Sequence, residues 1–213
     1  MIWSWERVVE ALPLLLQGFQ ITLLATVLGT LIATVLGLFI AVFKRVLPTP
    51  LRQVVHWASE FVRMTPLVVQ LLFVYYLLTG VSALVIGVVV IGIHYATYMA
   101  ESYRAGIESV PKGQWEATVA LSLPATRTWR AVILPQALRA TIPSLGNYAV
   151  AMFKDTPFLF AISVVELVTS AQQFGARNFA YTEAFTLAGL IFLAASYPTS
   201  ILIRRLETRL AQY

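Results

Sequence analysis

The sequence lacks cysteine and is poor in histidine and in charged residues. None of its 213 residues is cysteine, and only His56 and His94 are histidine. A disulfide scaffold and a thiolate metal site are therefore excluded, and the absence of a His-Glu-x-x-His pattern removes the common intramembrane zinc protease. Charged residues make up 12% of the chain, against about 25% in soluble domains. This excludes a soluble enzyme or binding module, and we expect no catalytic residue and no metal ligand.

Hydrophobic residues make up 59% of the chain and lie in long uncharged runs, which predict an all-α bundle of membrane-spanning helices. About 20 residues cross the hydrocarbon core. The run 64–100 is far too long for one crossing, and Thr79-Gly80 supplies a break within it. We predict polar loops at 104–139 and 166–183, with Glu166 at the edge of the outer mouth. The five predicted spans are 18–43, 57–78, 81–101, a proline-broken 140–165, and 184–203.

The basic residues are distributed unequally between the two sides of this bundle. Eleven lie in the first and third loops and in the C-terminal tail, whereas the other side carries only Arg7 and Arg177. Lysine and arginine mark the cytoplasmic side of a membrane protein, which also accounts for the net charge of +5 without nucleic acid. The N-terminus is therefore expected outside and the C-terminus inside. The front of the chain is not basic, and its apolar run is too long for a cleaved signal peptide.

The first span carries a small residue at every fourth position. These residues are Ala25, Gly29, Ala33, Gly37 and Ala41. Such a stripe lets another helix backbone approach closely. The sequence leaves open whether that helix belongs to this chain or to a second subunit.

The third loop contains a predicted short helix on the cytoplasmic side. It begins near Lys112 after Pro111, has Glu116 close to its start, and is expected to stop at Pro124. A helix of about ten residues is marginal alone in water. An amphipathic helix in this position is expected to dock into a groove of a partner protein.

This loop resembles the signature of ABC-importer permeases, Glu-Ala-Ala-x3-Gly-x9-Ile-x-Leu-Pro. Glu116, Ala117, Leu134 and Pro135 match it at the correct spacing. Three positions depart from it: Thr118 replaces the second Ala, Ser122 the Gly, and Val132 the Ile. The segments 61–67, 103–107 and 154–157 are similar to blocks of polar amino-acid permeases. The segments 92–98, 146–154 and 179–183 most resemble ectoine/hydroxyectoine permease subunits of the D type.

The resemblance implies a type I ABC-importer permease fold, with 1–213 as one permease domain and 108–124 as its cytoplasmic coupling-helix loop. It further implies an ATPase subunit dimer that binds ATP and Mg, an extracytoplasmic solute-binding protein, and a second permease, either a sibling or a second copy. The chain lacks a Gly-x4-Gly-Lys-Ser/Thr loop for phosphates, and it is expected to bind no cofactor itself. The implied location is the bacterial inner membrane, in contact with lipid. The implied coupling residues are Gly113, Glu116, Ala117, Ser122, Leu134 and Pro135.

Ionisable residues at membrane depth are functional candidates by default. Lys154 and Asp155 lie about mid-depth in the fourth span, next to Thr156 and Pro157. Asp155 could supply the acceptor, and Lys154 or Thr156 the donor, that a zwitterionic solute needs. The alternatives are an ion pair between helices and a position near the outer interface. Glu101, Tyr98 and Gln70 are further pathway candidates. For Glu101 the favoured alternative is a solvated residue at the cytoplasmic rim. For His94, Tyr95 and Tyr98, whose ring faces could hold a cation, the favoured alternative is packing or anchoring at the membrane interface.

The alternative functional classes are a secondary transporter and an intramembrane hydrolase. A secondary transporter that works without ATP would need the binding site for its coupling ion within this chain alone. The five spans show no internal repeat of the kind that such transporters are built from. An intramembrane hydrolase would need His94 with Ser102 or Ser82, and neither serine lies in a nucleophile elbow. The solute favoured by the resemblance is ectoine or hydroxyectoine, with a polar amino acid of the Glu, Gln, Arg or His type as the alternative.

Overall fold

The computed structural model describes residues 3–210, and these residues form helices joined by short connections, with no strand among them. In chain order the helices are α1 (Trp5–Val46), α2 (Thr49–Met64), α3 (Leu67–Leu77), α4 (Ala83–Glu108), α5 (Lys112–Ala120), α6 (Ala125–Arg127), α7 (Leu134–Asp155), α8 (Leu167–Asn178) and α9 (Tyr181–Leu210). A π-helical turn, Thr128–Ile133, joins α6 to α7, and a 3₁₀ helix, Thr156–Ile162, follows α7. The all-α prediction is confirmed.

Three of these helices, α1, α4 and α9, are each long and apolar enough to cross a membrane alone. Two bent pairs, α2 with α3 and the segment 125–162 with α8, are long and apolar enough when each pair is taken together. The bends are 106° and 52°. Counting each pair once gives the five predicted crossings. The predicted break in the fourth span is also present, because Pro157 lies at the start of the 3₁₀ helix that follows α7.

The second crossing was wrongly predicted as one continuous span over 57–78. It consists of α2 and α3, which separate at Thr65 and Pro66. Proline has no N–H to donate and disfavours helical backbone in the residue before it. Thr65 is accordingly extended (φ −94°, ψ 144°). The break places backbone carbonyls of the α2 end inside the bundle, beside α4.

Both predicted polar loops are partly helical. α4 continues to Glu108 and α7 begins at Leu134, so the third loop is shorter than 104–139. Most of 166–183 forms α8. Its buried residues Leu167, Ala171 and Phe174 recur at helical spacing and pack against α1 and α9. Gln172 and Arg177 are exposed on that helix, whereas the polar residues Thr169 and Ser170 are buried with the apolar ones.

Glu166 is not a residue at the edge of a loop. Its side chain is fully buried, and its carboxylate accepts hydrogen bonds from the N–H groups of Val168 (2.9 Å) and Thr169 (2.7 Å). The first N–H groups of a helix have no partner within the helix and need an acceptor. Glu166 is therefore the N-cap of α8.

The small-residue stripe of α1 packs within this chain, chiefly against α4. All five stripe residues are buried. At Gly37 an added Cβ would lie 2.9 Å from the Ala96 carbonyl oxygen and 3.0 Å from the Cβ of Met99. At Gly29 it would meet the Met152 sulfur of α7 at 2.8 Å. The close approach that the stripe predicts is thus made by helices of the same chain.

We expect Gly37→Ala to destabilise the bundle by about 1–3 kcal/mol, because an added methyl group at a close-packed contact forces the neighbouring atoms apart. The obstructing atoms at Gly37 belong partly to the α4 backbone and cannot rotate away. Gly189→Ala is the matched control, since nothing lies within 4 Å of a Cβ there. Thermal unfolding in detergent should show a lower midpoint for Gly37→Ala alone. Equal midpoints for the two variants would contradict the packing described here.

Candidate functional site

A group of hydrogen-bonded polar residues, which we call the polar seam, connects the break between α2 and α3 to α4. It consists of Thr65, Gln70 and His94. The Gln70 side-chain nitrogen donates to the carbonyl oxygen of Val62 (2.6 Å) and to the Thr65 hydroxyl (2.6 Å). Its oxygen lies 3.2 Å from the Nδ1 of His94 on α4. Gln70 therefore satisfies groups freed by the broken helix and joins that break to α4. This use of both ends of the amide makes Gln70 a structural support for the seam.

Four aromatic rings lie beside this seam, on α4 and α7. Tyr98 is central: its ring centroid is 5.3 Å from that of His94, 5.9 Å from Tyr95 and 5.6 Å from Tyr148. The Tyr98 hydroxyl donates to the carbonyl oxygen of Arg63 at the end of α2 (3.2 Å). Tyr148 was not among the predicted pathway residues. The ring faces of this group, which we call the aromatic cluster, can attract a cation.

Asp155 joins the aromatic cluster from the end of α7. Its Oδ2 accepts a hydrogen bond of 2.6 Å from the hydroxyl of Tyr95, which lies near the middle of α4. Asp155 forms no ion pair with any residue in the described range 3–210. A partly buried carboxylate with only a neutral donor leaves its negative charge to be compensated by another group. The alternative role for Asp155, an ion pair between helices, is therefore absent among residues 3–210, and Asp155 connects α7 to α4 through a hydrogen bond from an uncharged hydroxyl.

The two neighbours of Asp155 face different surroundings. Lys154 is exposed at the last turn of α7. Thr156 is fully buried, and its hydroxyl donates to the carbonyl oxygen of Phe153 (2.8 Å). The structure thus brings Asp155, Tyr98 and Gln70 to one place, while the Thr156 hydroxyl is engaged with its own backbone.

Glu101 lies on α4 on the C-terminal side of the aromatic cluster, and it takes part in a chain of ion pairs. Its carboxylate is 3.0 Å from the Nζ of Lys44 at the end of α1 and 2.7 Å from the Nε of Arg104. Arg104 also pairs with Glu108 (2.6 Å). Lys44, Glu101 and Arg104 border an open cavity of about 670 Å³ against the charged face of α2. Glu101 is therefore a partner in an ionic network and not an isolated solvated rim residue.

The predicted short helix of the third loop is present as α5, which has nine residues and begins directly after Pro111. Glu116 and Ala117 are exposed on it, and a Cβ at Gly113 would meet nothing within 4 Å. Val119 and Leu121 are 77% and 70% exposed, so apolar side chains at the end of α5 have no partner among residues 3–210. The exposed residues of α5 and its end thus form a surface that residues 3–210 leave uncovered.

Ser122, and not Pro124, ends this helix. Ser122 has left-handed backbone (φ 49°), and the N–H of Leu123 bonds back to the carbonyl oxygen of Thr118 (3.0 Å). Left-handed backbone costs a residue with a Cβ roughly 1–2 kcal/mol, which explains a preference for glycine at such a turn. Pro124 instead precedes α6 as its N-cap.

Leu134 and Pro135 lie where the π-helical turn becomes α7. Pro135 has no N–H, so the carbonyl four residues earlier has no α-helical donor. The π-helical turn accommodates this gap, and the side-chain amide of Gln136 donates to the carbonyl oxygen of Val132 (2.8 Å). These two residues thus shape the return from the loop into the membrane helix.

Comparison with known proteins identifies the wider family. The model of the family described as "Binding-protein-dependent transport system inner membrane component" matches residues 33–212. A probable amino-acid ABC transporter permease protein, y4tG of Sinorhizobium fredii, is 38% identical over 206 residues, covering 95% of this chain and 89% of that protein. The glutamine transport system permease protein GlnP of Escherichia coli K12 is 34% identical over 216 residues, covering 99% of each chain.

Solved structures agree with the sequence relatives. The crystal structure of an amino acid ABC transporter with histidines contains a chain that is 32% identical, with a TM-score of 0.93, covering 98% of this chain and 100% of that one. The MetNI methionine ABC transporter shares the fold at 19% identity, with a TM-score of 0.74, covering 92% of this chain and 97% of its own. The chain therefore belongs to the family of binding-protein-dependent transport system inner membrane components, the permeases of ABC importers.

Proposed function

We propose that this chain is the permease subunit of an ATP-driven importer and that it carries a polar, zwitterionic amino acid across the bacterial inner membrane. The observation that carries the proposal is Asp155, a carboxylate at the middle of the bundle with no cationic partner among the described residues. The α-ammonium group of a solute would supply that charge. The aromatic cluster beside it offers ring faces to the same cation.

The solute class follows from the site together with the relatives. Relatives that span nearly this whole chain are described as permeases for glutamine, for L-cystine and for glutamate and aspartate. This supports an α-amino acid with a polar side chain, and glutamine is our first choice. Ectoine is a cyclic amino-acid derivative, and it remains the second candidate because of the local sequence resemblance in 92–98 and 146–154.

The exposed surface of α5 supports a role for 108–124 as the coupling-helix loop. Family membership makes this chain a transport component rather than an enzyme. In this proposal the ATP and Mg sites lie on a separate ATPase dimer. Val119 and Leu121 would fill an apolar groove of that ATPase, with Glu116 and Ala117 at the contact.

The complete importer contains further chains in this proposal. An extracytoplasmic binding protein delivers the solute, and a second permease, either a sibling or a second copy, completes the pathway. Each permease chain contributes one permease domain, which in this chain is 1–213. The C-terminus and the loop 108–124 lie on the cytoplasmic side, where the basic residues are concentrated. The many exposed apolar residues of α1 and α9 fit contact with lipid.

Reconstitution tests this proposal directly. The permease, its ATPase and its binding protein are placed in proteoliposomes with ATP on the ATPase side, and uptake of labelled glutamine is measured, with unlabelled ectoine and other amino acids as competitors. We expect uptake that stops when ATP is withheld at a constant ion gradient. Uptake that continues without ATP would support the secondary transporter, and competition by ectoine alone would replace glutamine by the second candidate.

A further inference from the structure

Arg45, in the last turn of α1, lies over two tryptophans, one in the coupling-helix loop and one in the π-helical turn that follows it. Its guanidinium carbon is 4.9 Å from the ring centroid of Trp129 and 5.7 Å from that of Trp115. Trp115 belongs to α5 and Trp129 to the π-helical turn. The two rings meet edge to face, with centroids 5.4 Å apart and planes at 80°. One cation thus contacts both limbs of the loop from a different helix.

The two tryptophans also rest on a small apolar core on the cytoplasmic side. That core consists of the buried Val110, Ile133 and Ala137, with Ile107 and Val132 at its edge. It joins the ends of α4 and α7 to α5. Arg45 adds α1 to this assembly, because the cation–π contacts connect its last turn to the same pair of rings.

The neighbouring residue, Lys44, forms an ion pair with α4 instead of contacting the tryptophans. Its Nζ is 3.0 Å from the Glu101 carboxylate on α4. The last turn of α1 therefore holds the coupling-helix loop through Arg45 and the ionic network below the aromatic cluster through Lys44. A displacement of α5 can reach this network through two adjacent residues of one rigid helix.

We propose that Arg45 is a positioning residue for coupling: it clamps the coupling helix to α1, so that movement imposed on α5 is transmitted to α1 and α4. This inference rests on the proposed docking of α5 to an ATPase. A simpler role would be that of a cytoplasmic charge that interacts with the C-terminal end of the α1 dipole. The two roles differ in their need for aromatic partners and for a flat guanidinium, which stacks on rings better than an ammonium group does.

The test uses the complete importer in proteoliposomes and measures solute imported per ATP hydrolysed, together with the yield of intact complex. Arg45→Gln removes the cation, and we expect solute per ATP to fall about fivefold while the yield stays near that of the unmodified complex. Trp129→Leu should give a similar loss, and Trp129→Phe, which keeps a ring face, should restore most of it. Arg205→Gln is the matched control, since it removes an exposed cytoplasmic arginine of α9.

Two further variants separate stacking from charge. The double variant Arg45→Gln with Trp129→Leu should lose less than the product of the two single losses, because both single variants remove the contact between Arg45 and Trp129. Arg45→Lys keeps the charge but loses the guanidinium that lies over both rings, and it should remain impaired. Full coupling in Arg45→Lys, or losses that multiply in the double variant, would overturn the clamp. If the unmodified complex showed no ATP-dependent uptake, the proposed function itself would fail, which is a separate result.

Discussion

Replacing Asp155 by Asn is expected to lower uptake per complex about tenfold to a hundredfold at low solute concentration. The variant removes a charge and keeps nearly the same shape. The asparagine side chain still has a carbonyl oxygen that can accept the hydrogen bond from Tyr95, so the contact between α4 and α7 survives. What is lost is a charge-assisted contact with the ammonium group of the solute, worth about 1.5–3 kcal/mol. The measurement is uptake in proteoliposomes, divided by the amount of assembled complex.

Tyr95→Phe is the complementary variant, because it keeps the charge of Asp155 and removes the hydrogen bond. If Asp155 only connects α7 to α4, Tyr95→Phe should reduce the yield of complex and Asp155→Asn should be almost harmless. If Asp155 binds the solute, Asp155→Asn should be the more damaging of the two for uptake per complex. Full uptake per complex by Asp155→Asn would eliminate the binding role, whatever happens to the yield.

The membrane architecture was largely predictable because lipid imposes a simple rule on the sequence. A charge is costly within the hydrocarbon, so uncharged runs mark the crossings. The small-residue stripe of α1 likewise requires a close helix neighbour wherever that neighbour comes from. What the pattern could not reveal was the identity of the neighbour, because α4 and α7 present their contacts to α1 only after the whole bundle has assembled.

The candidate solute site was predicted only in part, since it is assembled from distant segments. Asp155 stood out as an ionisable residue at membrane depth, but its partner Tyr95 is 60 positions away in the sequence. Whether the two side chains meet depends on how α4 and α7 are rotated, and no local pattern records that rotation. Tyr148 gave no signal of its own for the same reason.

Segments on the boundary of the membrane were the least predictable. α8 carries enough polar residues to resemble a loop, although the spacing of Leu167, Ala171 and Phe174 is a helical signal that could have identified it. Arg45 counted only as one cytoplasmic charge among eleven. Its position over Trp115 and Trp129 depends on the return path of the loop, which the π-helical turn determines.

Replacing Ala117 by Arg is expected to abolish transport by blocking the docking of α5. Ala117 is exposed on α5, next to Glu116 on the surface proposed to enter the ATPase groove. Arginine is nearly as good a helix former as alanine, so the helix itself should persist. Its added volume at a packed interface costs about 1–3 kcal/mol or more, which is enough to reduce ATPase association tenfold or further.

The measurement for Ala117→Arg is the amount of ATPase that copurifies with the permease, followed by solute-stimulated ATP hydrolysis. Both should fall at least tenfold while the amount of membrane-inserted permease stays the same. Thr208→Arg is the matched control, because it adds the same bulk and charge at an exposed position near the end of α9. Ala117→Ser adds little volume and should retain most of the activity. Normal stimulated hydrolysis by Ala117→Arg would remove α5 from the coupling path, and it would also leave the Arg45 clamp without a movement to transmit.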